Sequence, residues 1–287
     1  MRNVTEDNLS EAVIASMSEA KDPRLQEIMT SLIQHLHAFF REVNLTEAEW
    51  MAGIQFLTAV GQRCDDKRQE FILLSDTLGA TTMKDLINNR KPPGVTEYTI
   101  LGPFYRPDAP QLPPSASIAD GLSGEPVILK GRVLSPEGHP IPNASVDVWQ
   151  SDAEGAYDLQ MTDLDGMALR GVFHTDAEGR YAVRTIKPAF YPIPTDGPVG
   201  QMLLAMGRHP FRPAHVHFMI SAAGYEPVTT ELFVSDDPYL DSDAVFGVRE
   251  SLIVPFVRND SEEEAARLGI PAPFFTVDFD FVLEPAR

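Results

Sequence analysis

The sequence has little cysteine and no long apolar run, and each absence excludes a class of protein. A single cysteine, Cys64, among 287 residues excludes an internal disulfide framework and a zinc site built from several cysteines. No apolar segment approaches the roughly 18 residues of a membrane-spanning helix. The N-terminal residues are polar and acidic, without the apolar core of a secretory signal. These features predict a protein of the reducing cytoplasm with no membrane partner.

Positive charge is also scarce. The formal net charge is −19, and no basic stripe is available to displace counterions from a phosphate backbone, so we expect no nucleic-acid partner. The sequence contains no G-x-G-x-x-G segment, no P-loop and no G-x-S-x-G elbow. These absences argue against a nicotinamide site, a nucleotide site and a serine hydrolase.

Proline divides the chain into two parts. Of 24 prolines, 23 lie at or after Pro92, whereas the first part carries apolar residues at helical spacing. Residues 1–95 are therefore predicted to form a helical domain, with Thr46 and Glu49 as a capping box at the start of one helix. The apolar stripes of this half could face a second copy of the chain, which predicts a homodimer, or they could pack on the rest of the protein.

Residues 96–287 contain short apolar runs separated by turn residues. Several runs alternate with period two, which predicts a mostly antiparallel β-sandwich and an α+β protein as a whole. The intervals 152–180 and 187–212 are interpreted as long loops, where chemistry usually lies on such a scaffold. The strand candidates are VILKGRVLS (127–135), ASVDVWQSD (144–152), YAVRTIK (181–187), AHVHFMI (214–220), VTTELFV (228–234) and TVDFDFVL (276–283).

The strongest local feature is the His-x-His pair in FRPAHVHFMI. In a strand, His215 and His217 point to the same face while Val216 and Phe218 point to the core, because side chains alternate with period two. Two imidazoles on one face are a common way to bind a metal. The alternative is a pair of solvent-facing histidines on an edge strand.

Other side chains have to complete such a metal site. Carboxylates are the usual donors, but the two turn-rich intervals also carry Tyr157 and Tyr191. A phenol is ordinarily neutral, and a hard, highly charged ion such as Fe(III) can hold it as a phenolate. From the residues alone, an ordinary packing role is the expected one for either tyrosine. The available carboxylates are Asp196, Glu231 and Asp236.

Four segments in order resemble the intradiol ring-cleavage dioxygenases: LGPFYRPDAP (101–110), GHPIPNASVDVWQSDAEGAYD (138–158), YPIPTDGPVG (191–200) and GRHPFRPAHVHF (207–218). The resemblance implies a helical dimerisation region before a β-sandwich, and one Fe(III) per subunit. It leaves open whether a lipid lies at the dimer interface, as in some relatives. The iron ligands that it implies are Tyr157, Tyr191, His215 and His217.

The resemblance also implies two catalytic roles. Tyr191 would leave the metal and accept a proton from the aromatic diol, and Arg212 would stabilise the negative charge that develops as O2 reacts. Arg212 stands at an odd spacing from His215, so this role requires the histidine strand to begin after Pro213, which cannot continue a hydrogen-bonded ladder.

Local features resemble the branch of the family that cleaves hydroxyquinol (benzene-1,2,4-triol). Asp76 in FILLSDTLG could accept a hydrogen bond from a third ring hydroxyl, although it could also be a solvated helix residue. LDSDAVFGVRESLIV (240–254) carries Val245 where catechol enzymes have bulkier groups. The substrate pocket that the resemblance implies is Leu73, Asp76, Ile100, Leu101, Gly102, Pro103, Phe104, Ile193, Pro194 and Val245.

The expected product from hydroxyquinol is 3-hydroxy-cis,cis-muconate, which tautomerises to maleylacetate. Two alternatives remain. The chain could be a catechol 1,2-dioxygenase that forms cis,cis-muconate, or, in a different class, a non-catalytic β-sandwich that binds a metal through His215 and His217.

Overall fold

The computed structural model describes residues 3–66, 68–161, 164 and 166–286. The chain divides into two compact units, Met1–Gln62 and Arg63–Arg287. A domain boundary near residue 95 remains a prediction. In the described part of the chain, no helix is both long and apolar enough to cross a membrane.

Over its described residues, the first unit contains three helices, α1 (Leu9–Ala15), α2 (Pro23–Val43) and α3 (Glu47–Gln62). Helix α2 begins where the side chain of Asp22 accepts hydrogen bonds from two backbone amides, and it ends at Asn44 in the left-handed conformation. The capping box at α3 is confirmed, because the Thr46 amide donates to Glu49 Oε2 at 2.9 Å and the Glu49 amide donates to Thr46 Oγ1 at 3.3 Å.

Four further α-helices lie in the described part of the second unit. Helices α4 and α5 are separated by Gly79, whose φ of +73° lets the chain stop one helix and start the next. Helix α6 begins with proline in its first turn, and Ser261 caps α7 through the Glu264 amide. Their bounds are α4 (Glu70–Thr77), α5 (Ala80–Asn88), α6 (Pro198–Ala205) and α7 (Glu262–Leu268).

Twelve strands are present among the described residues, and most pair antiparallel, as predicted. Their bounds are β1 (Pro126–Leu134), β2 (Ser145–Gln150), β3 (Arg170–His174), β4 (Arg180–Ile186), β5 (Tyr191–Pro192), β6 (Phe211–Arg212), β7 (His215–Ser221), β8 (Val228–Val234), β9 (Ile253–Val254), β10 (Val257–Asn259), β11 (Phe274–Asp278) and β12 (Phe281–Val282).

The strands form two five-stranded sheets and one two-stranded pair. One sheet runs β10-β11-β1-β12 with β4 also pairing with β1, the other runs β3-β2-β7-β8-β9, and β5 pairs with β6. Only β1–β11, β1–β12 and β8–β9 are parallel among these ladders. One apolar core draws side chains from both large sheets, among them Val127 and Leu129 of β1 and Val216 and Phe218 of β7. The fold is therefore a sandwich.

Two details of the strand prediction were wrong. The run 276–283 is interrupted rather than continuous, because β11 ends at Asp278 and β12 begins at Phe281. At the break the Phe279 carbonyl lies against Gly131, where a Cβ would lie 1.8 Å from its oxygen. The intervals interpreted as long loops are also partly regular. The first contains β3, and the second contains β5 and α6.

Candidate metal centre and substrate pocket

The two histidines of β7 lie at the centre of their sheet, not at its edge. Strand β7 pairs with β2 on one side and β8 on the other, so the solvent-facing alternative is wrong. Both imidazoles are buried, and their Nε2 atoms are 3.1 Å apart. The Nδ1 atom of His215 lies 2.7 Å from the Pro213 carbonyl oxygen. Since a carbonyl only accepts, Nδ1 carries the proton and Nε2 keeps its lone pair for a metal.

Electrostatics keep these imidazoles neutral. Burial lowers the pKa of His217 well below its ordinary value, and His215 and Arg212 lower it further. The pKa of His215 is also lowered, first by burial and then by Arg212. Neutral imidazoles are the form that binds metal ions, so the pair is suited to coordination at neutral pH.

Tyr157 and Tyr191 reach the same place from two different segments. The Tyr157 hydroxyl lies 3.3 Å from His215 Nε2, and the two phenol rings meet edge to face with centroids 5.5 Å apart. Gly155, with φ of +89°, allows this approach, because a Cβ there would lie 2.7 Å from Tyr191 Cβ. The structure thus brings all four predicted ligands, Tyr157, Tyr191, His215 and His217, into one cluster.

Burial makes both phenols poor acids in the absence of a cation. Desolvation raises the pKa of Tyr157 well above its ordinary value of 10, and Tyr191 adds to the effect. Desolvation also raises the pKa of Tyr191, against an opposing effect of Arg212. Only a strongly charged metal ion would hold these side chains as phenolates, which fits a hard ion such as Fe(III).

Arg212 lies beside Tyr191 because of a short strand pair. In the antiparallel ladder of β5 and β6, Tyr191 is directly opposite Arg212, and Pro213 separates β6 from β7. The predicted break in the strand after Arg212 is confirmed. Arg212 Nη1 lies 3.4 Å from His215 Nε2, so the guanidinium adjoins the cluster of four predicted ligands.

Two buried carboxylates hold Arg212. Its Nη1 donates to Glu231 Oε1 at 2.9 Å, and its Nε and Nη2 donate to Asp243 at 3.1 and 3.2 Å. Burial alone would lower the pKa of Arg212, but Asp243 and Glu231 raise it well above its ordinary value. Gly247 is required here, because a Cβ would lie 2.7 Å from Arg212 Nη2. The guanidinium is therefore a fixed, permanently charged group.

Of the three carboxylates considered as metal donors, only Glu231 enters the cluster. Its nearest donor atom and those of His215 and His217 all lie within 4.8 Å of one another. However, Glu231 already accepts from Arg212, which lowers the pKa of Glu231 against the effect of burial. Asp196 instead pairs with Arg63 and Arg68, and Asp236 with Lys187, at the surface.

An apolar cluster adjoins these residues. Leu73, Ile100, Ile193 and Val245, all predicted for the substrate pocket, pack together with Leu203 and Ala244. Gly102, with φ of +73°, passes close to His217, because a Cβ on Gly102 would lie 3.3 Å from His217 Cε1. Phe104 stacks on Tyr157 with ring centroids 4.4 Å apart. The remaining predicted pocket residues, Leu101, Pro103 and Pro194, are exposed, and their role stays a prediction.

Asp76 is half-buried and carries an unsatisfied oxygen. Its Oδ1 atom is buried and has no hydrogen-bond partner among the described residues. Desolvation raises the pKa of Asp76, while Thr81 and Arg212 lower it. A buried acceptor without a donor is costly in the free protein, and a bound donor would satisfy it.

Sequence reasoning missed several supporting residues. Trp149 stacks on the His217 ring at 4.8 Å with 3° between the planes. Arg170 forms a buried ion pair with Asp158, next to Tyr157, and donates to the Phe104 carbonyl at 3.1 Å. In β2 and β7, Trp149 is directly opposite His217. The place of Trp149 depends on that register, which the sequence alone did not indicate.

Comparisons with known proteins agree with this geometry. Residues 100–285 match the family model described as "Dioxygenase", and residues 22–96 match the one described as "Catechol dioxygenase N terminus". The chain belongs to the intradiol dioxygenase family, whose members use non-haem iron.

Its relatives locate it more narrowly within the family. The 6-chlorohydroxyquinol 1,2-dioxygenase of Cupriavidus pinatubonensis is 50% identical over 99% of both chains. The hydroxyquinol 1,2-dioxygenase of a Rhizobium species is 50% identical over 97% of this chain and 95% of its own. The solved structure of hydroxyquinol 1,2-dioxygenase from Pseudomonas putida superposes with a TM-score of 0.93 at 47% identity, covering 98% of this chain and 99% of that one. The chain is thus an intradiol dioxygenase of the hydroxyquinol type.

Proposed function

We propose that each subunit holds one Fe(III) through Tyr157, Tyr191, His215 and His217 and cleaves hydroxyquinol between its adjacent hydroxyls. The observation that supports hydroxyquinol as the substrate is the buried Oδ1 of Asp76, which has no hydrogen-bond partner in the described part of the chain. Catechol lacks the third hydroxyl that this atom would accept from. Sequence identity to hydroxyquinol enzymes over nearly the full chain supports the same substrate.

A ferric ion held by the four predicted ligands would supply a Lewis acid, which would polarise the bound diol and make its ring reactive toward O2. The protein's own groups handle the protons and charge. Tyr191 Oη would leave the metal and accept the proton of one substrate hydroxyl, because burial raises the pKa of the free phenol and so makes the released phenolate a strong base. Tyr157 stays in place, since Phe104 and the buried Arg170–Asp158 pair fix its surroundings.

Arg212 and the apolar cluster complete the reaction site. The guanidinium, fixed by Glu231 and Asp243, offers its charge where negative charge develops on the substrate. The apolar cluster that includes Ile100, Ile193 and Val245 surrounds the ring and excludes water. Both oxygen atoms of O2 remain in the product, 3-hydroxy-cis,cis-muconate or its tautomer maleylacetate, so the reaction needs no external reductant.

Substrate preference is tested by initial O2 uptake with hydroxyquinol and with catechol, with enzyme-free controls because hydroxyquinol autoxidises. We expect a higher kcat/KM for hydroxyquinol and a product mass that corresponds to maleylacetate.

Asp76→Ala should lower kcat/KM for hydroxyquinol by roughly ten-fold or more, the cost of one hydrogen bond to a charged group, and should change catechol cleavage little. If the wild type instead prefers catechol and forms cis,cis-muconate, the alternative of a catechol 1,2-dioxygenase is favoured. Equal losses on both diols would leave Asp76 a structural residue.

We also propose that the protein is a homodimer formed through its helical half. One stripe of α2 leaves Leu25, Ile28, Leu32, Leu36 and Phe39 between 41% and 53% exposed. The stripe follows helical spacing along the whole of α2, and an exposed apolar surface of this length is unusual on a monomer. A bound lipid could cover part of it. The single cysteine is consistent with a cytoplasmic location.

Leu32→Glu is expected to convert a dimer into monomers, because it inserts a charge into the middle of the apolar stripe. Sedimentation velocity of the wild type and the variant measures the change. Glu27→Gln, on the same helix in an exposed surface pair with Arg24, is the matched control and should leave the mass unchanged. A monomeric wild type, or a fully dimeric Leu32→Glu variant, would contradict this interface. Mass spectrometry of the extracted protein shows whether a lipid is bound.

A further inference from the structure

Arg208 lies between two segments of the proposed pocket. Helix α6 ends at Ala205, Gly207 adopts the left-handed conformation with φ of +67°, and the Arg208 amide donates to the Leu203 carbonyl at 2.9 Å. Leu203 itself belongs to the apolar cluster of the pocket. Arg208 is thus anchored to the pocket by its own backbone.

The guanidinium of Arg208 joins two chain segments that are distant in sequence. Its Nη1 donates to the Thr77 carbonyl at 2.6 Å, and its Nη2 donates to the Ala244 carbonyl at 2.9 Å. Thr77 follows Asp76 at the end of α4, and Ala244 precedes Val245. The two acceptors are therefore the immediate neighbours of the two residues proposed to recognise the ring substituent.

Two further contacts join the same segments. Thr82 Oγ1 donates to the Val245 carbonyl at 3.0 Å. The Arg208 guanidinium also lies over the ring of Phe246, 4.9 Å from its centroid, and that ring closes against Gly79. Residues 77–82, from the end of α4 into the first turn of α5, are consequently joined to the turn at 244–246 in three places.

A planar guanidinium is suited to this role because its two Nη atoms reach two carbonyls in a fixed fork. The Thr77 carbonyl belongs to the last turn of α4 and lacks a partner within the helix, so a cation there also offsets the helix dipole. Lysine could serve one carbonyl from this position but would not impose the same separation on the two.

We propose that Arg208 is a positioning residue that fixes the separation of Asp76 and Val245 and thereby sets which ring substituents the pocket accepts. This rests on the proposed function, because it assumes that Asp76 and Val245 face the diol ring. Arg208 acts through these neighbours, so its removal widens the choice of diol rather than stopping the reaction.

The test compares the wild type with Arg208→Ala, Arg208→Lys and the matched control Arg184→Ala. Arg184 also donates from its guanidinium to two backbone carbonyls, those of Ser115 and Leu268, but neither belongs to the pocket. The ratio of kcat/KM for hydroxyquinol to that for catechol is expected to fall about ten-fold in Arg208→Ala, mainly through KM. The ratio for Arg208→Lys should lie between those of the wild type and Arg208→Ala, and Arg184→Ala should keep the wild-type ratio. Visible absorption of the bound iron should be the same in all four.

Anaerobic titration with each diol, followed by the change in that absorption, gives the ratio of the two Kd values without turnover. A wild type that prefers catechol would overturn the proposed substrate, whereas the shift of the Kd ratio between wild type and Arg208→Ala would still decide the role of Arg208. The proposed role of Arg208 would be overturned if Arg208→Ala left both the kcat/KM ratio and the Kd ratio unchanged, or if Arg184→Ala shifted them equally. If Arg208→Ala does not fold, Arg208→Lys and the isosteric Thr82→Val supply the comparison, with a shift in the same direction expected from each.

Discussion

Replacing Tyr157 by phenylalanine is expected to weaken the visible tyrosinate-to-iron absorption and to lower kcat/KM by at least about 100-fold. Groups that only orient a metal ligand contribute about 10–100-fold, so the loss of a ligand should cost at least as much. The ring of Tyr157 is fully buried and stacks on Phe104, so phenylalanine keeps the packing and removes only the oxygen. The effect should therefore appear in colour, iron content and activity, with a small change in Tm.

Tyr181→Phe is the matched control. Tyr181 is also buried, and its hydroxyl donates to the Phe279 carbonyl at 2.8 Å in the core of the sandwich, away from the cluster of four ligands. This variant should keep the full colour and activity while losing some stability, about 1 kcal/mol for one buried hydrogen bond. A Tyr157→Phe protein with unchanged colour and turnover would remove Tyr157 from the ligand set. A colourless wild type that carries zinc would favour the non-catalytic module.

The His-x-His pair was the part of the centre that local sequence rules could predict. Period-two alternation in β7 is a property of any strand, and it correctly turned Val216 and Phe218 to the core and the histidines to the other face. The same rule could not predict where the phenols would lie. Tyr157 and Tyr191 come from turns and a two-residue strand, whose paths depend on Gly155 and on tertiary contacts rather than on a repeat. Only the resemblance to a known family brought them into the ligand set.

Residues that act through strand register were beyond the sequence. Trp149 stacks on His217 because β2 and β7 pair in one particular register, and Tyr191 faces Arg212 because β5 and β6 do. A shift of one residue would turn each side chain to the opposite face. Asp243 was missed for a related reason. Its carboxylate accepts from the Val245 and Gly247 amides as well as from Arg212, a local turn that the spacing of residues did not indicate.

Arg212→Gln is expected to lower kcat by about 100- to 1000-fold, the range found when one preorganised charge-stabilising donor is removed. Iron content and visible absorption should be retained, because Arg212 is not a proposed ligand. The variant should also lose stability, by about 3–5 kcal/mol, because Glu231 and Asp243 would remain buried beside each other without their cation. A loss of activity alone would therefore not separate catalysis from folding.

The double variant Arg212→Gln/Glu231→Gln separates the two effects. Removing the charge of Glu231 relieves part of the uncompensated buried charge, so Tm should recover toward the wild type. Turnover should not recover, since neither glutamine offers a positive charge to the substrate. Stopped-flow rates and thermal unfolding of the wild type, both single variants and the double variant supply the complete cycle. Turnover that returned together with Tm would show that Arg212 supports the fold and takes no part in stabilising charge during the reaction.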